Sequence, residues 1–267
     1  MGISRKIGLH IINGTSVPLG RPTVVKLVDV SPEYVAQVRG QVGPDSLLVV
    51  RWVEQSQALD SPVLRAWEWV ARRQAAMAAM MACAPIVFEG YNEIGDAVAD
   101  AYAQFEIERL RLMQARGYPC AVGSWSVGTP NEAVWPRYQG VLAQMRERDV
   151  LSLHEYWSDY DDILNTWHVG RFSRPEIAPH LAGKKIVITE AGRDIVEGKG
   201  KPGWKHTTNA EGYLLDLRRA SQVYDQHPQV LGVAVFQTGA IDPQWRAFDV
   251  AELWPRVVAE YVSPPAV

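Results

Sequence analysis

The sequence predicts an α/β fold, a single (β/α)8 TIM barrel with a reduced or missing first crossover helix. Eight apolar runs of strand length recur along the 267-residue chain, helical patterns with recognisable ends alternate with them, and the length suits one barrel. The runs read "KIGLHII", "TVVKLVDV", "SLLVVRWV", "PIVFEGY", "PCAVGSWSV", "VLSLHEYW", "KKIVITEA" and "VLGVAVFQT". Most are rich in Val and Ile and nearly continuous in hydrophobicity, as parallel strands buried on both faces must be.

Taken in order, the elements follow from local chemistry. Only about ten residues separate the first run from the second, scarcely enough for a crossover helix. After the second run, Ser31-Pro32-Glu33 supplies an N-cap, an N1 proline and an acidic first turn, and Ser61-Pro62 repeats the first two signals after the third. The stretch 96–116 is periodic and stops at Gly117, a residue suited to the position after a helix end. Further helices are expected near 132–148, 209–227 and 250–261. After the sixth run, Gly170, Pro175 and Pro179 interrupt any long periodic pattern, which predicts a loop with short helical pieces. The barrel is assigned residues 1–262, and 263–267 read as a short Pro-containing tail that would lead into further domains if the native chain continued. A doubly wound sheet competes, but no Gly-rich fingerprint follows an early strand, and "GKGKPG" (198–203) lacks the spacing of a phosphate loop.

Composition narrows the function. With 47% hydrophobic and 21% charged residues the chain can bury a large core. A net charge of -3 and a pI near 6.1 argue against nucleic acid as a partner. No run approaches the roughly 18 apolar residues of a membrane span. The start, "MGISRKIGLHII", is too short in its apolar part for a secretory signal, so a cytoplasmic location is expected, with secretion or release by phage lysis left open. Cys83 and Cys120 make neither a disulfide framework nor a metal set and are expected as buried free thiols.

In such a barrel, chemistry sits at the C-terminal ends of the strands. Those ends collect His10, Asn13, Asp29, Arg51, Glu89, Asn92, Glu93, Ser124, Ser126, His154, Glu155, Tyr156, Glu190 and Gln237. Carboxylates at the tips of apolar strands are costly unless paired or hydrated, so Glu89, Glu93 and Glu190 need explaining. Hydrolysis of a glycosidic bond needs one carboxylic acid to protonate the leaving oxygen and one carboxylate to attack or to activate water. Glu93 follows the fourth run and Glu190 ends the seventh, so they can face each other across the barrel mouth. By itself the Asn92-Glu93 pair equally suits a helix N-cap with an acidic first turn. Arg51 is placed to pair with Glu89 inside the barrel. Among the aromatics, Tyr91, Trp125 and Trp157 fall at strand tips where rings could stack on sugars, and Trp204 sits in the polar loop after Glu190, a candidate cleft wall or lid. Trp67, on a helix, reads as core packing.

Three motifs carry a family resemblance. "F-E-G-Y-N-E" (88–93) resembles the aromatic-E-x-x-N-E signature of the clan-A glycoside hydrolases, retaining barrel enzymes with an acid/base Glu at the fourth strand. "I-T-E-A-G" (188–192) is similar to their seventh-strand nucleophile motif, and "H-E-Y" (154–156) to their sixth-strand His-x-Tyr pattern. Order and strand number agree for all three. The resemblance implies Glu93 as acid/base, Glu190 as nucleophile, Asn92 as a hydrogen-bond partner of the sugar, Tyr156 orienting Glu190, and His154 supporting the pocket and the proton on Glu93. Clan members commonly carry a Trp at the end of the eighth strand, where this chain has Gln237 nearby, and an Arg at the tip of the second, where it offers Asp29. The expected function is retaining, endo-acting hydrolysis of an oligo- or polysaccharide, with carbohydrate as the partner and no metal or organic cofactor. The Gln237 departure keeps open a degenerate barrel that binds carbohydrate without cleaving it. A metal-dependent hydrolase would want His-x-His on the first strand, which holds only His10.

Overall fold

A computed structural model of the protein describes residues 2–195 and 200–262. The tail 263–267 and part of the "GKGKPG" segment lie outside the described residues. The eight runs form strands β1 (Ile7–Ile12), β2 (Val24–Val28), β3 (Leu47–Arg51), β4 (Ile86–Glu89), β5 (Cys120–Trp125), β6 (Val150–Trp157), β7 (Ile186–Arg193) and β8 (Val230–Thr238). Each pairs in parallel with the next, and β8 pairs back to β1, closing the barrel. Closure leaves no free edge and buries both strand faces, which is why the runs are apolar almost throughout.

The barrel interior is built in layers. Val24, Val49, Val87, Ala121, Val150 and Val187 form a buried ring of small aliphatic side chains toward the N-terminal mouth. Side chains alternate faces along a strand, so residues two further on point into the same interior. Those residues are Lys26, Arg51, Glu89, Ser152 and Thr189, all buried. At that level β5 supplies Gly123, where an added Cβ would lie 2.9 Å from the Ser152 carbonyl oxygen. The interior is therefore dry and apolar below and charged above. This asymmetry places the site at the C-terminal mouth.

No helix joins β1 to β2, as expected from the short connection. Helix α1 (Pro32–Gln41) is capped by Ser31, whose side chain accepts from the Tyr34 N–H. Helix α2 (Pro62–Met80) follows Ser61-Pro62, but the Ser61 side chain makes no capping bond, so proline alone marks that start. Helix α3 (Ala99–Gln114) ends before Gly117, at φ 75°. It carries a buried Arg109 that donates to the carbonyls of Phe88 and Ala121 and to Glu106, tying the helix to β4 and β5. After α4 (Trp135–Gln144) and β6, short 3-10 turns at Asp162–Leu164, Arg171–Ser173 and Ala178–Leu181 stand in place of a helix, as the prolines and glycine predict. Helices α5 (Trp204–Thr207), α6 (Ala210–Asp225) and α7 (Trp254–Ala259) complete the outer layer. Trp69 is core, but Trp67 is exposed and packs under the Arg111 guanidinium, against the expectation from its helix. Both cysteines are free and buried. Among the described residues, no helix is long and apolar enough to cross a membrane.

Barrel closure can be tested at Gly8 on β1, where an added Cβ would sit 1.8 Å from the Val24 carbonyl oxygen. Gly8→Ala must push β1 away from β2 and is expected to cost about 3 kcal/mol or more in urea unfolding. A loss below about 1 kcal/mol would show that the two strands pack more loosely than this.

Candidate active site

After β4 the chain runs through Gly90–Gly95 without helical structure, and α3 is preceded by a 3-10 turn at Asp96–Val98. Gly95, not Asn92, takes the cap position, so the Asn92-Glu93 pair is not a helix cap. Glu93 is left-handed, at φ 54°, and its N–H donates to the Ser124 carbonyl at 2.9 Å. Asn13, Asp29 and Ser124 share that conformation, at φ 58°, 53° and 48°. These four residues lie at the C-terminal ends of β1, β2, β4 and β5, and each conformation costs about 1–2 kcal/mol.

Beneath the rim lies a cluster of four buried charges. Lys26 Nζ stands 2.8 Å from Glu89 Oε2 and 3.0 Å from Glu190 Oε1. Arg51 approaches the same two oxygens at 3.5 and 3.4 Å. Two cations and two anions leave the cluster neutral. The second oxygen of Glu89 accepts from the Ser152 hydroxyl and, at 2.8 Å, from Thr189. Burial alone would raise the Glu89 carboxyl, but Lys26 and Arg51 hold it well below its ordinary value. Burial likewise opposes ionisation of Glu190, and the His154 imidazole, Lys26 and Arg51 overcome it. The Arg51–Glu89 pair was expected. Lys26 was not, although a lysine inside "TVVKLVDV" was a visible signal.

Strand register brings the remaining groups together. Leu153 pairs with Ile188 but His154 with Glu190, so Thr189 is an extra residue on β7. This bulge lets Thr189 and Glu190 both reach the interior, one to Glu89 and the other to Lys26. The Tyr156 hydroxyl donates to Glu190 Oε2 at 3.1 Å. Burial and the Glu190 and Glu93 carboxylates push that hydroxyl well above its usual range, so it stays a donor. His154 Nδ1 lies 2.9 Å from Glu93 Oε1 and 3.7 Å from Glu190 Oε2. One ligating atom each from Glu93, His154 and Glu190 lie within 4.8 Å of one another. The Glu93 side chain is 38% exposed and that of Glu190 7%. By residue type these three could also hold a metal, but Lys26 and Arg51 already face Glu190 and would repel a cation. His10, on β1, is buried with its ring 5.0 Å from Phe236, and burial and Lys26 keep it neutral. Glu155 points the other way, accepting from the Gly170 and Arg171 N–H groups and the Tyr224 hydroxyl, with burial raising it to about 7.

A cleft of about 400 Å³ opens over Glu93 and Glu190. Asn92 and Asp29 line it, as expected. The Gln57 side chain bonds both the N–H and the carbonyl of Asn92, whose buried side-chain oxygen has no partner, while Asp29 accepts the Val53 N–H at 2.8 Å. The expected aromatic walls are elsewhere. Tyr91 is buried and stacked on Phe105 at 4.2 Å, and Trp125 is wedged between Tyr102 and Tyr138. Trp157 is buried with its indole N–H on Asp216, and Trp204, in α5, is buried against Tyr213 of α6 and donates to the Phe248 carbonyl. None of the four lines this cleft, although Tyr91 lines a neighbouring cavity over the loop after β3. Gln237 is also buried, and its carboxamide ties the loop after β8 by bonding Trp245 and Ala240. The aromatic surfaces that do line the cleft are Phe236 and Trp245, 5.4 Å apart, with Trp245 36% exposed. The sequence hint was a tryptophan in the polar loop "DPQWRAFD" after the last strand.

No family model matches the chain, and no curated protein matches its sequence. Solved structures match its fold. An endoglucanase superposes with a TM-score of 0.55 at 11% identity, covering 96% of this chain and 98% of that chain. An endo-β-1,4-glucanase from Xanthomonas axonopodis pv. citri gives 0.52 at 14%, covering 89% and 86%. A Cellulomonas fimi endo-β-1,4-mannanase double mutant gives 0.53 at 14%, covering 98% and 72%. At these identities the likeness is one of fold, the barrel that the sequence predicts.

The buried cluster makes a stability prediction with a definite sign. Glu89 and Glu190 both have folded pKa values below the ordinary 4.5. Their contribution to stability is therefore full above that pH and is lost as the pH falls toward the folded values. Lys26→Met strands two carboxylates on one arginine and is expected to cost about 3–5 kcal/mol at neutral pH. The gap from wild type should narrow below pH 4.5 as the carboxyls neutralise. Urea unfolding at both pH values checks this, and an equal gap at both would mean the lysine does not act through these charges.

Proposed function

We propose that the protein is a retaining glycoside hydrolase acting within polysaccharide chains, with Glu93 as acid/base and Glu190 as nucleophile. One observation carries this: two carboxylates within 4.8 Å at the barrel mouth, held in opposite environments. Retaining enzymes separate their carboxyl groups by about 5–5.5 Å, whereas inverting ones leave about 6.5–9.5 Å for a water molecule. Glu190 is anchored on Oε1 by Lys26 and Arg51 and on Oε2 by Tyr156, which fixes it as an ionised group aimed into the cleft. In the first half-reaction a Glu190 oxygen attacks the anomeric carbon while protonated Glu93 gives its proton to the leaving oxygen. The Lys26 and Arg51 charges make Glu190 a better leaving group in the second half-reaction, when Glu93 takes a proton from the attacking water. His154, bonded to Glu93 at 2.9 Å, supports both protonation states, since Nδ1 can accept from the acid or donate to the carboxylate. Asn92 offers its free carboxamide to a sugar hydroxyl. Trp245 provides an exposed flat apolar ring for a sugar face, and the buried Phe236 adds an apolar floor beside it.

The structures named as endoglucanases and an endo-mannanase support the polysaccharide class through their shared barrel. The competing reading, a barrel that binds carbohydrate without turnover, drew on the residue standing where a last-strand Trp is usual. Phe236, one residue before Gln237, supplies an aromatic ring at that end of the cleft, which removes most of its motive.

Release of reducing ends from a panel of plant and microbial polysaccharides tests the assignment. Glu190→Gln is expected to abolish release, and Glu93→Gln to lower it by about 10²–10⁴-fold, less on an aryl glycoside whose leaving group needs no proton. Tight binding of one polymer without release by the wild type would favour the non-catalytic barrel. Activity surviving both substitutions would assign the chemistry elsewhere.

A further inference from the structure

The cleft does not end at strand β3. Val53, 55% exposed, lines it and also lines a second cavity of about 460 Å³ over the β3–α2 loop and the start of α2. The sill between the cavities is held from both sides. Asp29, in the first, accepts the Val53 N–H, and Gln57, on the same loop, clamps the backbone of Asn92.

The charges in the two cavities say what could lie there. In the second, both lining carboxylates already have a guanidinium: Glu68 pairs with Arg65, which also holds Asp60 beside the cavity, and Glu54 pairs with Arg73 and, at 3.7 Å, with Arg72. Three arginines and two glutamates line the cavity, and Asp60, bonded to Arg65 from beside it, balances the third cation. In the first, Asp29 and Asp242 join Glu93 and Glu190, with Arg51 the one cation among the lining residues. Neither cavity has the positive excess that would attract an anionic sugar chain. Fixed, alternating donors and acceptors suit hydroxyl groups instead. Arg72, with a side chain 57% exposed and only long contacts to Glu68 and Glu54, keeps donors for a ligand.

We infer that the second cavity binds further sugar rings of a neutral polysaccharide, as part of the same chain whose scissile bond lies between Glu93 and Glu190. The inference rests on the glycosidase reading. Each cavity alone is at the lower end of the roughly 300–1,000 Å³ range of small-molecule sites. In series over Val53 they suit a chain of several rings.

Calorimetric titration of Glu93→Gln protein with cello- and manno-oligosaccharides, from the disaccharide to the hexasaccharide, tests this. For one of the two series affinity is expected to keep rising with length, by about tenfold or more overall. Two changes at exposed positions should flatten that rise to about threefold or less: Ser56→Trp, which fills the cavity, and Arg72→Ala, which removes its free donor. Affinity that stops rising at the disaccharide, a rise that survives both substitutions, or absence of binding by either series would overturn the inference. So would tighter binding of oligogalacturonates of equal length. Turnover of a short aryl glycoside by the wild type reports separately on Glu93 and Glu190. Turnover there with a flat length dependence would leave the glycosidase reading standing and sink this one.

Discussion

A lysine ammonium buried between two carboxylates, 2.8 Å from Glu89 and 3.0 Å from Glu190, is the interaction on which the rest of the site depends. Four charges inside a barrel are tolerable only as a neutral, closely bonded set, because desolvation costs several kcal/mol for each ion and an unpaired one is strongly destabilising. Every neighbouring feature serves that constraint. The ring of valines and one alanine below excludes water, and Gly123 keeps one interior position free of a side chain. Ser152 and Thr189 saturate the far oxygen of Glu89, and the bulge at Thr189 lets β7 offer two consecutive side chains to the interior. Glu190 is left ionised, fixed in direction and facing the cleft.

Glu93 is placed by different means. It lies beyond its strand, more exposed than Glu190, in a left-handed conformation held by the Ser124 carbonyl. The neighbouring left-handed residues are stabilised in the same way: the Asn13 N–H bonds the Val28 carbonyl, and the Asp29 N–H bonds that of Arg51. Local strain of this kind persists only where surrounding bonds over-determine the backbone. It turns the rim residues over the mouth, while the strands beneath supply rigidity. The two carboxylates thus meet with one buried among cations and the other open to solvent and an imidazole, a division suited to a nucleophile and a proton carrier.

The fold was largely legible because parallel barrel strands must be apolar on both faces, which makes each run conspicuous. The missing first helix was legible as simple chain length, and the broken segment after β6 as glycine and prolines. Glu93, Glu190 and the Arg51–Glu89 pair could be located because carboxylates at strand ends are rare without a purpose. Lys26 is not marked by the strand-tip pattern because it stands in mid-strand, two residues above Val24. The aromatic walls were misplaced for a related reason. With Tyr156 facing the interior, Trp157 must face the helices, and the alternation that decides this is written in the sequence. Trp125 follows a left-handed Ser124, whose backbone turn no strand pattern discloses. Trp245 sits on a loop whose course over the cleft depends on Gln237, a tertiary contact invisible to local pattern.

Covalent trapping addresses the role of the buried cluster most directly. If the proposed activity holds, a 2-deoxy-2-fluoro glycosyl fluoride of a sugar that is turned over should accumulate as a glycosyl ester, because the 2-fluorine slows both half-reactions while the fluoride leaving group speeds only the first. Mass spectrometry of the digested protein is then expected to place the adduct on Glu190. An adduct on any other residue, or continued turnover of the parent substrate with no adduct and inverted product configuration, would contradict a nucleophile held ready by Lys26 and Arg51.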